Sequence, residues 1–142
     1  MNAKKEYLEL ARDAAERAKA AGADAAEAFV SDTESIQVTV SAGQVEQMNA
    51  VREAGIGVRV LRDGRMAFGS TNDLSRGAVR ALAEGLVKKV VYHTADEFNV
   101  IPAREDGFLE GDWSTRADLM TYDPKIAEVP VQDKIKTAIR ME

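Results

Sequence analysis

His93 is the only histidine in the chain, and there is no cysteine. Those two counts decide most of the available chemistry. A zinc site draws three or four ligands from histidine, cysteine and carboxylate, and a histidine relay needs a nucleophile beside its imidazole. His93 has no second histidine and no thiol to work with, so it reads as a helix-end residue facing the dipole or water. A run of carboxylates follows: Asp96, Glu97, Glu105, Asp106, Glu110 and Asp112. Their spacing fits no EF-hand loop, and nothing sets two of them apart as a glycosidase pair. Gly55-x-Gly57 lies inside a strand pattern and not at a strand-to-helix turn, so it fails the context of a dinucleotide fingerprint. No catalytic residue, metal ligand or cofactor is assigned to this chain.

One polar run carries more. Ser70-Thr71-Asn72-Asp73-Leu74 closes a strand and leads into a helix. Its side chains either serve a cleft or interface through hydrogen bonds, with Ser70, Thr71 and Asn72 as the contacts, or shape the helix entry as Asx and ST turns.

The elements that hold these residues can be read from the pattern. The chain has 142 residues, 45% of them hydrophobic, which suits one domain with a core that needs no disulfide. No stretch approaches the ~20 apolar residues of a membrane span. No apolar segment follows Lys4-Lys5, so no signal peptide is expected and a cytoplasmic location is. Residues 1–92 hold 13 acidic and 13 basic side chains, and residues 93–142 hold 11 and 6. An acidic tail without a basic stripe disfavours nucleic acid as a partner.

Leu8, Ala11, Ala15 and Ala18 mark a first helix over 3–21, with Asn2 as N-cap and Gly22 just past its end. The period then switches to two. Ala26, Ala28 and Val30, then Ile36, Val38 and Val40, then Val45 to Val51, Gly55 to Leu61 and Met66 to Ser70 read as a meander of about five antiparallel strands. Ser75 caps a second helix over 76–92, whose stripe is Val79, Leu82, Ala83, Leu86, Val87, Val90 and Val91. The fold class is therefore α+β, with helices packed on a meander sheet. Residues 1–93 form that domain, and 94–123 read as an extended acidic arm. Residues 124–142 start a helical segment with Pro130 near its first turn. The pattern breaks off in mid-helix, so the chain reads as truncated.

Asp63-Gly64 is the strongest hairpin signal. A two-residue turn there puts Val58 and Val60 on one face with Gly69 and Ala67. Gly57, Arg59 and Leu61 then share the other face with Ser70, Phe68 and Met66. The first face suits a closely packed helix. The second carries Leu61, Met66 and Phe68 around Arg59, and in a two-layer domain it would lie in water. Either helices cover both faces, or another domain or subunit covers this one.

An ordered set of segments resembles the N-terminal domain of the TldD/PmbA family. It comprises Ala20-Ala21-Gly22-Ala23-Asp24-Ala25-Ala26-Glu27, Gly55-Ile56-Gly57-Val58-Arg59-Val60, Asp63-Gly64-Arg65 and Phe68-Gly69-Ser70-Thr71-Asn72-Asp73-Leu74. Leu119-Met120-Thr121-Tyr122-Asp123-Pro124 and Val131-Gln132-Asp133-Lys134-Ile135 are similar to that family's linker and following helix. Members were once called modulators of DNA gyrase and are understood as zinc-dependent proteases. The resemblance implies a two-domain protein that assembles with TldD/PmbA-type subunits, as a dimer and as a homo- or hetero-oligomer, around a cavity in which unfolded peptides are cleaved. It places the zinc in a C-terminal domain or partner subunit, on a His-Glu-x-x-x-His element with a further cysteine that PmbA-type subunits lack. This chain has no such element, which leaves it a substrate-cavity or assembly domain. A free-standing interaction module without enzymatic activity is the alternative, and a small carboxylate hydrolase is a third reading.

Overall fold

The computed structural model describes residues 3–102, 123 and 125–142. They fall into two compact units, one within Met1–Thr33 and Glu53–Ala103 and the other within Glu34–Arg52 and Arg104–Glu142. The described elements are α1 (Ala3–Ala20), β1 (Ala25–Ser41), β2 (Gln44–Arg62), β3 (Arg65–Thr71), α2 (Arg76–Lys89), α3 (Lys125–Glu128) and α4 (Val131–Met141). The fold is α+β.

In the first unit, α1 ends because Gly22 takes a φ of +107°. Its N–H donates to the Lys19 carbonyl and the Ala23 N–H to the Ala18 carbonyl, the paired bonds of a Schellman turn. The face that α1 buries is Leu10, Ala14 and Ala18. That corrects the expected stripe by phase, since Leu8 is 53% exposed. Alanines nearly encircle this helix, so spacing alone does not choose a side. Helix α2 starts at Ser75, whose hydroxyl accepts the Ala78 N–H, and buries Val79, Ala83, Leu86 and Val87. A 3-10 turn, Val90–Tyr92, adds Val90 to the core and leaves Val91 half in water.

Both helices share one core with Ile56, Val58, Val60 and Ala67 of the sheet. Small residues allow the approach. A methyl group on Gly69 would lie 3.1 Å from Leu82 Cδ1 and 3.2 Å from Leu86 Cδ2. On their outer sides the helices are bridged by Asp13–Arg80 and Arg17–Glu84.

The sheet has three strands in the order β1-β2-β3, where five were expected. The expected first and third breaks, near residues 31–35 and 52–54, are not chain reversals. Strand β1 runs 17 residues and β2 runs 19. Side-chain alternation fades there while backbone pairing continues, because a ladder needs only N–H and C=O groups. The turns are Ala42-Gly43 and Asp63-Gly64, and all four residues have positive φ, as type I′ turns require. Strands β2 and β3 pair antiparallel with Arg62 opposite Arg65, Val60 opposite Ala67 and Val58 opposite Gly69, the register a two-residue turn dictates.

The described start of the acidic arm, residues 94–102, returns to that turn. Ala95 bridges to Arg65, and the Gly64 carbonyl accepts both the Asp96 N–H and the Asn99 side-chain amide at 2.9 Å. The rest of the expected arm, residues 103–122, lies outside the described residues, as does the N-cap expected at Asn2.

In the second unit, the tip of the β1–β2 hairpin presents the Ala42 and Gly43 N–H groups. They donate to the two carboxylate oxygens of Glu142 at 2.8 and 2.9 Å. The expected last helix is split: α3 follows Asp123, whose carboxylate accepts the Lys125 N–H. Pro130 occupies the N-cap of α4, since proline disfavours helix at the residue before it.

Candidate functional site

With α1 and α2 on one face of the sheet, the opposite face of the first unit carries no described helix. Its side chains are the alternate set: Glu27, Phe29 and Ser31 of β1, Gly57 and Arg59 of β2, and Met66, Phe68 and Ser70 of β3. Two adjoining depressions of about 250 and 290 Å3 run over it, and both are bounded by Phe29, Gly57 and Phe68. The first adds Glu27, Arg59 and Met66. The second adds Ser31, Gly55, Ser70, Thr71 and Asn72.

The floor exists because of a glycine. A methyl group on Gly57 would fall 3.0 Å from Phe68 Cε2 and 3.1 Å from Cζ, so the ring lies against bare backbone. Phe68 is nevertheless 67% exposed and Phe29 74%. Two aromatic rings this open on one sheet face form an apolar patch. Arg59 reaches across to Glu27, and its guanidinium pairs with the Glu27 carboxylate. Its Nε is buried without a hydrogen-bond partner among the described residues. A buried donor in that state costs stability until an acceptor reaches it.

Of the seven residues expected as contacts, six meet here: Arg59, Met66, Phe68, Ser70, Thr71 and Asn72. Leu61 does not. It shares their strand parity but is only 6% exposed, at the end of the hairpin where residues 94–102 return. This corrects the expectation of an open Leu61. The polar run divides between its two readings. Thr71 Oγ1 accepts the Asp73 N–H, and the Asp73 carboxylate accepts the Ser75 N–H. These two residues shape the helix entry, and the backbone bond from Ser75, followed by the Ser75 side chain, lowers the Asp73 pKa. Ser70 and Asn72 stay exposed on the rim.

Sequence reasoning passed over Phe29 and Glu27. Attention to Ala26, Ala28 and Val30 as the buried set hid the signal, which is an aromatic residue in the polar phase of an alternating strand.

Elsewhere, the His93 N–H bonds the Val90 carbonyl at the helix end. Asp96 accepts the Phe98 N–H, and Glu105, Asp106, Glu110 and Asp112 lie outside the described residues. Among the described residues no three His, Cys, Asp or Glu side chains gather as metal ligands, so those residues do not fit a zinc ion. No described helix is long and apolar enough to cross a membrane.

Comparison with known proteins gives this geometry its context. Residues 26–90 match the model of PmbA/TldA metallopeptidase domain 1. No curated protein sequence matches the chain. Among solved structures, a candidate modulator of DNA gyrase from Bacteroides thetaiotaomicron superposes with a TM-score of 0.71 at 25% identity. The match covers 91% of this chain and 28% of that one, so the chain spans little more than a quarter of that protein's length. The matched residues 26–90 contain all three strands' open face and the whole of α2. Over residues 26–90 the chain carries the first domain of the TldD/PmbA family.

Proposed function

We propose that this chain is the non-catalytic, substrate-cavity and assembly domain of a TldD/PmbA-type metalloprotease that degrades unfolded peptides in the cytoplasm. The observation that carries the reading is the open sheet face with Phe29 and Phe68 exposed beside Arg59. A surface with apolar rings and a buried unpaired donor suits extended chains, which offer apolar side chains and backbone carbonyls together. The face then lines the cavity or meets a second TldD/PmbA-type subunit, homo- or hetero-oligomeric. Zinc and the general base come from another domain or subunit, because one histidine and no cysteine would leave a site built mainly of carboxylates, which favour harder cations. Neither nucleic acid nor membrane is a partner.

The test is metal analysis of the dialysed 142-residue chain, together with cleavage of an unfolded peptide with and without chelator. We expect neither stoichiometric zinc nor chelator-sensitive cleavage. Either result in the pure chain would overturn the reading.

A further inference from the structure

Two rows of side chains run across the open face of the first unit, and both stop at β1. One is ionic: Arg59 of β2 pairs with Glu27 of β1. The other is aromatic: Phe68 of β3 lies over Gly57 of β2, and Phe29 of β1 borders the same depressions. Strand β1 is an edge of the sheet among the described residues. Its outer backbone groups are a template for one more strand, which natural edges usually blunt with lysine, proline or a covering element. Between Ala25 and Thr33 there is no lysine, arginine or proline. Phe29, at 74% exposure, is the most open aromatic on this face.

We propose that the β1 edge between Ala25 and Thr33 takes up an extended peptide as a fourth strand, one carrying a basic side chain two residues from an apolar or aromatic one. The apolar residue lies opposite Phe29 and continues the aromatic row. The basic residue lies opposite Glu27 and completes an alternating Arg59–Glu27–cation row. Cross-strand pairs of these kinds each favour pairing, and the backbone ladder supplies affinity without regard to the rest of the peptide sequence. A second copy of this chain is the less suitable occupant. Its own β1 brings two carboxylates over the same stretch and no cation, so the ionic row ends unpaired. The proposal rests on the peptide-facing reading given above and adds to it the mode of capture and the class of peptide.

The probe is a fluorescein-labelled peptide, Ser-Thr-Lys-Thr-Phe-Thr-Lys-Thr-Ser, titrated with the full 142-residue chain and followed by polarisation. Lysine on both sides of the phenylalanine makes strand direction immaterial. Two N-methylated forms block alternate amides, a third form has both lysines replaced by glutamate, and Phe29→Ser tests the aromatic row. We expect saturable binding. One N-methylated form should lose at least about tenfold in affinity while the other loses less, because alternate N–H groups face the ladder. The glutamate form and Phe29→Ser should each lose about five- to tenfold. Phe29 is largely in water, so circular dichroism of the variant should be unchanged. Equal loss or no loss in the two methylated forms overturns capture at the edge, and equal binding of the glutamate form overturns the ionic row. Absence of binding, or a dimer of the chain that the peptide fails to dissociate, overturns the proposal. None of these failures bears on the zinc and cleavage test of the domain's wider role.

Discussion

The two faces of one sheet in this protein have opposite characters, although they alternate along the same strands. Ile56, Val58 and Val60 are almost wholly buried under α1 and α2. Their immediate neighbours Gly57 and Arg59 lie beneath a groove edged by two exposed phenylalanines. The covered face is held by close packing of small and branched residues. The open face is held by little beyond one ion pair and one ring on a glycine. Folding energy is thus concentrated on one side, which leaves the other free to carry residues chosen for contact.

The sharpest way to break this contrast is to place a carboxylate on each face. Val58→Asp buries an unpaired charge under the helices, and we expect a loss above about 3 kcal/mol, enough to unfold the chain in urea titrations. Phe68→Asp, on the adjacent strand but on the open side, should stay folded to within about 0.5 kcal/mol. It should instead change the oligomer mass measured by light scattering. Matching unfolding curves for the two variants would mean that the faces do not differ in this way.

A finer comparison uses the glycines. Gly69→Ala pushes a methyl group against Leu82 and Leu86 inside the core and should cost about 1 kcal/mol by thermal denaturation. Gly57→Ala meets only the Phe68 ring, which can swing into solvent. Its stability change should stay within about 0.5 kcal/mol, while the groove floor is lost. An equal cost at both positions would show that Phe68 is as firmly packed as the leucines.

The smallest effect concerns the helix layer. The hydrogen bond from Arg80, helped by its charge and those of Arg76 and Arg17, holds the Asp13 carboxyl below its ordinary pKa against the opposing effect of burial. A carboxyl whose folded pKa is lowered contributes stability that is present above its unfolded pKa of about 3.9. That contribution is lost as pH falls through the lowered value. Asp13→Asn should therefore lower the melting temperature slightly at pH 7 and leave it nearly unchanged in strong acid. Because the bridge is partly exposed, added salt should shrink the difference.

Local chemistry made much of this fold legible. Asp63-Gly64 set the β2–β3 register because both residues readily take the positive φ of a type I′ two-residue hairpin, and once closed it pairs every following residue. Gly22 and Ser75 marked helix ends for equally local reasons. The same register brought Arg59, Met66, Phe68 and Ser70 to one face. The strand count was less legible, because alternation records burial and not pairing: in Glu34–Arg52 the residues of β2 are exposed on both faces, yet the strand continues.

By itself the sequence determined the α+β class, the conformation of the Asp63-Gly64 turn, the stripe of α2 and the absence of thiol or multi-histidine chemistry. Each depends on residue type within a few positions along the chain. Only the tertiary structure decided which side of the alanine-rich α1 is buried, that Leu61 is closed off, and that Phe29 and Glu27 of β1 join Phe68 and Arg59. Those outcomes depend on elements from about 30 to nearly 70 residues apart meeting in space, and side-chain periodicity carries no information about which distant surface arrives to cover a given face.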